Sequence, residues 1–198
     1  WELEEGDALT SYTDFSSGIA PQTLPAGTVV TVSSKVSWYV GNTEFWWYHE
    51  DYGRMSGKCS TSSAVYFKLS DGRIGFCTQC FKDSVEGNYN PGGWYRWIDG
   101  TARRGIARIL TYGAPNNGDT SDAGIKATAL AIWDMAAGYM YEDGSSRGHG
   151  TAPFYANTGG TIRAKYDEIL AKLKRHGVVP SFSVKLRSEI TSAQTITL

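Results

Sequence analysis

Cys77 is the residue around which reactive chemistry can be assembled in this chain. It lies in the run Ile74-Gly75-Phe76-Cys77-Thr78 and opens Cys77-Thr78-Gln79-Cys80, a C-x-x-C spacing. A thiolate is both a nucleophile and a soft metal ligand, so several chemistries compete for it. Redox exchange would need the pair at the start of a helix after a parallel strand. Here a hairpin precedes it, and Lys82-Asp83-Ser84 follows without helical periodicity. A zinc site from Cys59, Cys77, Cys80 and His49 has the right number and type of ligands but a single close pair. A cysteine hydrolase or transglutaminase-like enzyme would use Cys77 as nucleophile, His149 as base and Asn157 or Asp167 to orient it, a trio that any chain of this size offers. A non-covalent ligand-binding module would rest on Trp46, Trp47, Trp94 and Trp97 and need no thiol. The plainest reading makes Cys77 a small buried hydrophobe.

The elements that must position this thiol alternate early and turn helical later. Thr28 to Val40 is β-branched and alternating, Glu44 to Glu50 is a short aromatic strand, and AVYFKL, Ser70-Asp71-Gly72-Arg73 and IGFC form a hairpin. The Asp-Gly pair suits a two-residue type I′ turn, which leaves Cys77 at the exit of a strand. Gly87 to Gly100 reads as a loop carrying Trp94, Tyr95 and Trp97. Three helices follow. Thr101 to Tyr112 turns Ile106, Ile109 and Leu110 to one side and stops at Gly113, a C′ glycine. Ala123 to Tyr139 follows the potential caps Asp119 to Asp122 and carries Ile125, Ala129, Ile132, Ala136 and Met140 in a stripe, with Trp133 beside it and Asp134 on the polar side. Ile162 to His176 buries Ile162, Tyr166, Ile169, Leu170 and Leu173, and ends in Lys172, Lys174, Arg175 and His176, cations that suit the negative end of a helix dipole. Beyond Pro180 the chain alternates again. The order predicts an α+β fold, mainly an antiparallel sheet or sandwich with a segregated cluster of about three helices, as one domain over 1–198.

The 198 residues, 41% hydrophobic, suffice for a core that removes roughly 70% of the unfolded surface from water. A formal net charge of −1 supplies no field for nucleic acid or an anionic membrane, and no apolar run approaches the roughly 20 residues that span a bilayer. With no basic segment opening it, the chain is either cytosolic or a mature fragment without its targeting ends.

Two segments taken together carry a resemblance. Ile74-Gly75-Phe76-Cys77-Thr78 and Thr128-Ala129-Leu130-Ala131-Ile132-Trp133 resemble the two signature motifs of the thioester, or TQXA, domains of Gram-positive cell-wall-anchored adhesins. In that family the first motif is Tyr/Phe/Leu-Cys and the second Thr-Gln-x-Ala-Ile-Trp. Between them, Ile106 to Gly113 is similar to the family's helix ending in Tyr-Gly, and the likeness runs from about Ile74 to Gly138.

The resemblance implies that the cysteine thiol attacks the glutamine amide, ammonia leaves, and an internal thioester remains to be captured by a lysine of a host surface or matrix protein, or by another amine-bearing ligand. Apolar cover would fall to Phe76, Ile132 and Trp133, and assistance as a base to His149 or Asp134. No cofactor, nucleic acid, metal or membrane insertion is implied. The domain would act once, as a monomer, in a secreted and wall-anchored protein, rather than as an enzyme. The sequence departs from the motif at its acyl donor: the glutamine falls on Ala129, which has no carbonyl to attack. As written the chain is expected to lack the bond, and the intact remainder of the motif favours a substitution introduced into it over natural loss. Cys59 and Cys80 would then be left to pair or not.

Overall fold

A computed structural model describes residues 10–11, 22–23, 29–49, 54–78, 87–89 and 100–176. Two long strands dominate the first half: β3 (Val30–His49) and β4 (Arg54–Leu69) pair antiparallel. Together with β5 (Ile74–Phe76) and β6 (Gly87–Tyr89) they form a four-stranded sheet in the order β5-β4-β3-β6, and β1 (Thr10–Ser11) pairs with β2 (Gln22–Thr23) in a separate ladder. The α+β expectation holds, with an antiparallel sheet and the helices in one later block.

Alternation explains β3. Val32 and Val40 are buried, Val36 and Trp38 are half-buried, and Ser33, Lys35, Ser37 and Tyr39 face water. The ladder then shifts register between Tyr39 and Thr43, and the buried positions become Thr43 and Phe45. Inserting residues at a bulge changes which parity points inward. For this reason the two segments that read as separate strands are one strand with its inward face reset. The buried Thr43 hydroxyl donates to the Val40 carbonyl at 3.0 Å and accepts from the Asn157 side-chain amide at 2.9 Å, which ties the bulge to the helical half.

The hairpin before Cys77 forms with a different turn from the one expected. Lys68 pairs with Ile74, the Leu69 N–H donates to the Arg73 carbonyl, and the Gly72 N–H donates to the Leu69 carbonyl. Its loop is therefore the three residues Ser70 to Gly72, closed by Gly72 at φ +87°. This is the geometry of a three-residue hairpin with a left-handed glycine instead of a two-residue type I′ turn. Asp71 accounts for the extra residue, because its carboxylate accepts from both the Arg73 N–H and the Arg73 guanidinium. The segment read as a loop from Gly87 begins with β6, which pairs with Val30 to Val32.

The helices are α1 (Gly100–Tyr112), α2 (Asp122–Ala136), α3 (Pro153–Ala156) and α4 (Gly160–His176). The Ser121 side chain caps α2 by accepting from the Gly124 N–H at 3.1 Å. From Ala127 onward every residue of α2 is buried, including Thr128 and Asp134. A helix buried all round sits at the centre of its layer. It lies against the sheet while α1, α3 and α4 cover its other sides. The one-turn α3, absent from the sequence reading, buries Phe154.

Gly113 has a role other than the left-handed cap expected of it. A Cβ there would lie 2.5 Å from the Thr128 hydroxyl and 2.8 Å from the Ile109 carbonyl. Its missing side chain allows the end of α1 to rest on α2 at Thr128, whose hydroxyl donates to the Gly124 carbonyl at 3.0 Å. The glycine after Tyr112 and the threonine that opens the second motif are thus one packing contact.

Candidate functional site

Four residues of α2 mark the face it turns to the sheet: Asp122, Lys126, Ala129 and Trp133, separated by four, three and four positions. At about 100° per residue they fall within about 60° of arc. Three of them have sheet-side partners. Asp122 accepts from the Tyr66 hydroxyl at 3.1 Å, and Tyr66 pairs with Phe76 across β4 and β5. The Lys126 ammonium lies 5.5 Å from the centre of the Trp38 ring. The Trp133 indole N–H donates to the Cys77 carbonyl at 2.7 Å. Ala129, 1% exposed, lies between these contacts on the same face, one turn before Trp133.

Helical side chains lean toward the N-terminus, so the Trp133 indole leans over the turn that holds Ala129. The cysteine of the first motif and the tryptophan of the second are hydrogen-bonded partners. Phe76 and Cys77, both half-buried, pack against the core cluster to which Ile132 and Trp133 belong, and Phe76 also touches the smaller cluster of Tyr66, Ala114 and Ile125.

The face is charged at one end. Lys126 pairs with Asp122 at 2.6 Å, with only 19% of the lysine side chain exposed. This contact, followed by the Tyr66 hydrogen bond, holds the Asp122 carboxyl below its ordinary range against a smaller opposing effect of burial. Burial, then Asp122, pushes the Tyr66 phenol up.

Asp134 is not the polar-side residue its sequence position suggested; it is 0% exposed. Its carboxylate accepts from the Phe154 N–H at 3.1 Å, the Tyr155 N–H at 2.8 Å and the Tyr166 hydroxyl at 2.9 Å. The physical reason is the one-turn helix α3: its first N–H groups have no partner of their own, and Asp134 supplies one from the neighbouring helix. Burial pushes the Asp134 carboxyl up to about 7 despite these three donors. Through Phe154, whose ring meets the Trp133 indole edge-on at 5.1 Å, Asp134 also buttresses the tryptophan that holds Cys77. Both of its oxygens accept from the first turn of α3.

The remaining expected residues belong to other segments of the chain. His149 is half-buried in the loop before α3, between Gly148 and Gly150, whose φ values are +82° and +96°. The residues that would orient it in a hydrolase are engaged elsewhere: Asn157 donates to Thr43, and Asp167 accepts from the Tyr155 hydroxyl at 2.8 Å. For the zinc alternative, Cys59 opposes Phe45 on β4, six residues from Val65, or roughly 20 Å of strand from the register that Cys77 leaves. Among the described residues no group of three or more His, Cys, Asp or Glu side chains is placed to hold a metal ion. The Cys59 thiol is free, and burial raises it above its ordinary range; Cys80 lies outside the described residues. Of the aromatic ligand-binding set, Trp46 is 45% exposed and Trp47 lies over Gly57, while Trp94 and Trp97 fall outside the described residues, as do Tyr95 and the strands expected beyond Pro180.

Thr128, Gly113 and Asp134 were named from the sequence in other roles, and what sequence reasoning missed is the packing and hydrogen bonding they supply. One signal was available for Asp134: it is a lone acid inside Leu130-Ala-Ile-Trp-Asp-Met-Ala-Ala137, where a solvated helix face has no room.

The thioester domain family model matches residues 74–174, just over half of the chain, and the chain belongs to that family. The match opens at β5, immediately before Cys77, and closes in the last turn of α4, so it takes in the whole face described above. No curated protein and no solved structure matches the chain. No helix among the described residues is long and apolar enough to cross a membrane.

Proposed function

We propose that this is the thioester domain of a cell-wall-anchored bacterial surface adhesin, in a form that lacks the acyl-donating glutamine at position 129. With glutamine there, the Cys77 sulfur would attack the side-chain amide carbon; the C–N bond breaks, and ammonia leaves with the thiol proton. A thiol fixed against its target gains an effective molarity on the order of 10⁵–10⁸ M, which is how an otherwise unreactive amide becomes accessible. Phe76, Ile132 and Trp133 then shield the thioester from water. A lysine of a host surface or matrix protein attacks the acyl carbon, the C–S bond breaks, a proton returns to sulfur, and a permanent amide joins the two proteins.

At neutral pH only on the order of one lysine in a thousand is uncharged. With Asp134 committed to α3, His149 is the remaining candidate for the assisting base. The act is single-turnover, so the domain is a covalent binder and not an enzyme, and the link is not limited by an off-rate.

The observation that carries this reading is the hydrogen bond from the Trp133 indole to the Cys77 carbonyl on the α2 face that bears residue 129. The test is Ala129→Gln: intact mass is expected to fall by one ammonia, and adding Cys77→Ala should restore the unprocessed mass. Retention of the ammonia by the folded Ala129→Gln protein would refute the proposal. A cysteine hydrolase would instead turn over an ester or amide substrate without that loss.

A further inference from the structure

The α2 face that would carry the acyl group also carries an amine of its own. Lys126 precedes position 129 by three residues, a spacing that places side chains about 5–6 Å apart at Cβ. A lysine side chain can reach across that gap to a glutamyl acyl carbon. Capture by Lys126 would consume the thioester without any external partner.

The structure holds this amine elsewhere. Its ammonium lies 2.6 Å from the Asp122 carboxylate, one turn toward the N-terminus and so away from position 129, and 5.5 Å from the Trp38 ring centre. Asp122 is in turn anchored by the Tyr66 hydroxyl at 3.1 Å. Both contacts belong to the ammonium, which has no lone pair with which to attack a carbonyl. Trp38 packs against Tyr66 with ring centres 6.1 Å apart, so aromatic wall and carboxylate form one clamp.

We infer that Lys126 is a latent internal acyl acceptor, and that the Asp122–Trp38 clamp holds it off so that the thioester survives for an amine from outside. The inference rests on the thioester reading above. In the guarded reaction the ammonium first loses a proton to solvent, and the neutral nitrogen attacks the acyl carbon at 129. An N–C bond forms, the C–S bond breaks, and the remaining proton is passed to the Cys77 sulfur as thiol. The product is a side-chain amide between 126 and 129, equal in mass to the thioester.

The test compares Ala129→Gln with Ala129→Gln/Asp122→Asn and Ala129→Gln/Trp38→Leu in the full chain, each checked for a cooperative melt. Ala129→Gln alone should lose ammonia and resist alkylation at Cys77, read by peptide mapping. The clamp variants should show the same loss of ammonia with no gain of water. In them Cys77 should become alkylatable at least about tenfold faster, trypsin should no longer cleave after Lys126, and adding Lys126→Arg should restore protection. The Trp38 variant leaves α2 intact if Asp122→Asn weakens the fold. Cys77 remaining as protected in both clamp variants as in Ala129→Gln, or reopening only with a gain of water, would overturn the guard and leave the thioester reading standing. Failure of Ala129→Gln itself to lose ammonia would overturn both.

Discussion

Replacing Asp134 by Asn makes a prediction whose sign is unexpected. The carboxyl titrates at about 7 in the folded protein, against an ordinary value of 3.8. Between those pH values the folded protein keeps a proton that the unfolded chain has released, so stability falls as pH rises through this window. The gap between about 7 and 3.8, at 1.36 kcal/mol per pH unit, amounts to about 4 kcal/mol, fully present below pH 4 and gone above pH 7. The carboxyls of Asp71, Asp119, Asp122 and Asp143 are held below their ordinary values, so their contributions are lost only as pH falls below about 4. They leave the window clear.

Asparagine is nearly isosteric with the protonated acid and cannot ionise. It should fall modestly short of the parent at pH 4.5, because its amide must face one of the two backbone N–H donors, and gain on the parent by about 1.4 kcal/mol per pH unit up to neutrality. Urea melts of both proteins at half-unit steps from pH 4.5 to 8 measure this, and histidine titrations cancel in the difference. Parallel stability curves across that range would show that Asp134 is ionised throughout, and would refute the argument that burial outweighs its three hydrogen bonds. A downfield-shifted carboxyl resonance titrating near 7 provides an independent check.

Two further predictions concern how the site is held. Gly113→Ala should destabilise the protein by about 1–3 kcal/mol in chemical denaturation, because its Cβ meets Thr128 and a backbone carbonyl, neither of which can yield; combined with Thr128→Ser, which removes one of the crowded atoms, the loss should shrink. Trp133→Phe keeps the apolar ring but removes the N–H that satisfies the Cys77 carbonyl; about 1–3 kcal/mol of stability should go with it, and in the Ala129→Gln protein ammonia loss should slow when followed by intact mass over time. Unchanged kinetics in that variant would mean the hydrogen bond does not position the thiol.

The α1, α2 and α4 segments were legible because apolar spacing and local caps act over a few residues: Ser121 caps α2 and Leu173 lies on the buried side of α4, as their positions suggest. The single-strand nature of β3 was not, since a bulge breaks the alternation that defines a strand and its cause lies across the sheet. Nor was the burial of Asp134, whose partners Phe154 and Tyr166 lie 20 and 32 residues away. Periodicity reports which way a helix prefers to face when it has one wet side, and α2 has none beyond its first turn and a half.

Amino-acid order alone determined the motif pair around Cys77 and Ala129, the alanine at position 129, and the α+β ordering of elements, all of which are properties of residue type and short-range spacing. Only the tertiary structure decided which face of α2 meets the sheet, that Trp133 holds the Cys77 backbone, and that Lys126 is tied to Asp122 and Trp38. Those depend on contacts between segments tens of residues apart, which form only when the chain buries its apolar surface and must find a partner for every polar group it takes inside.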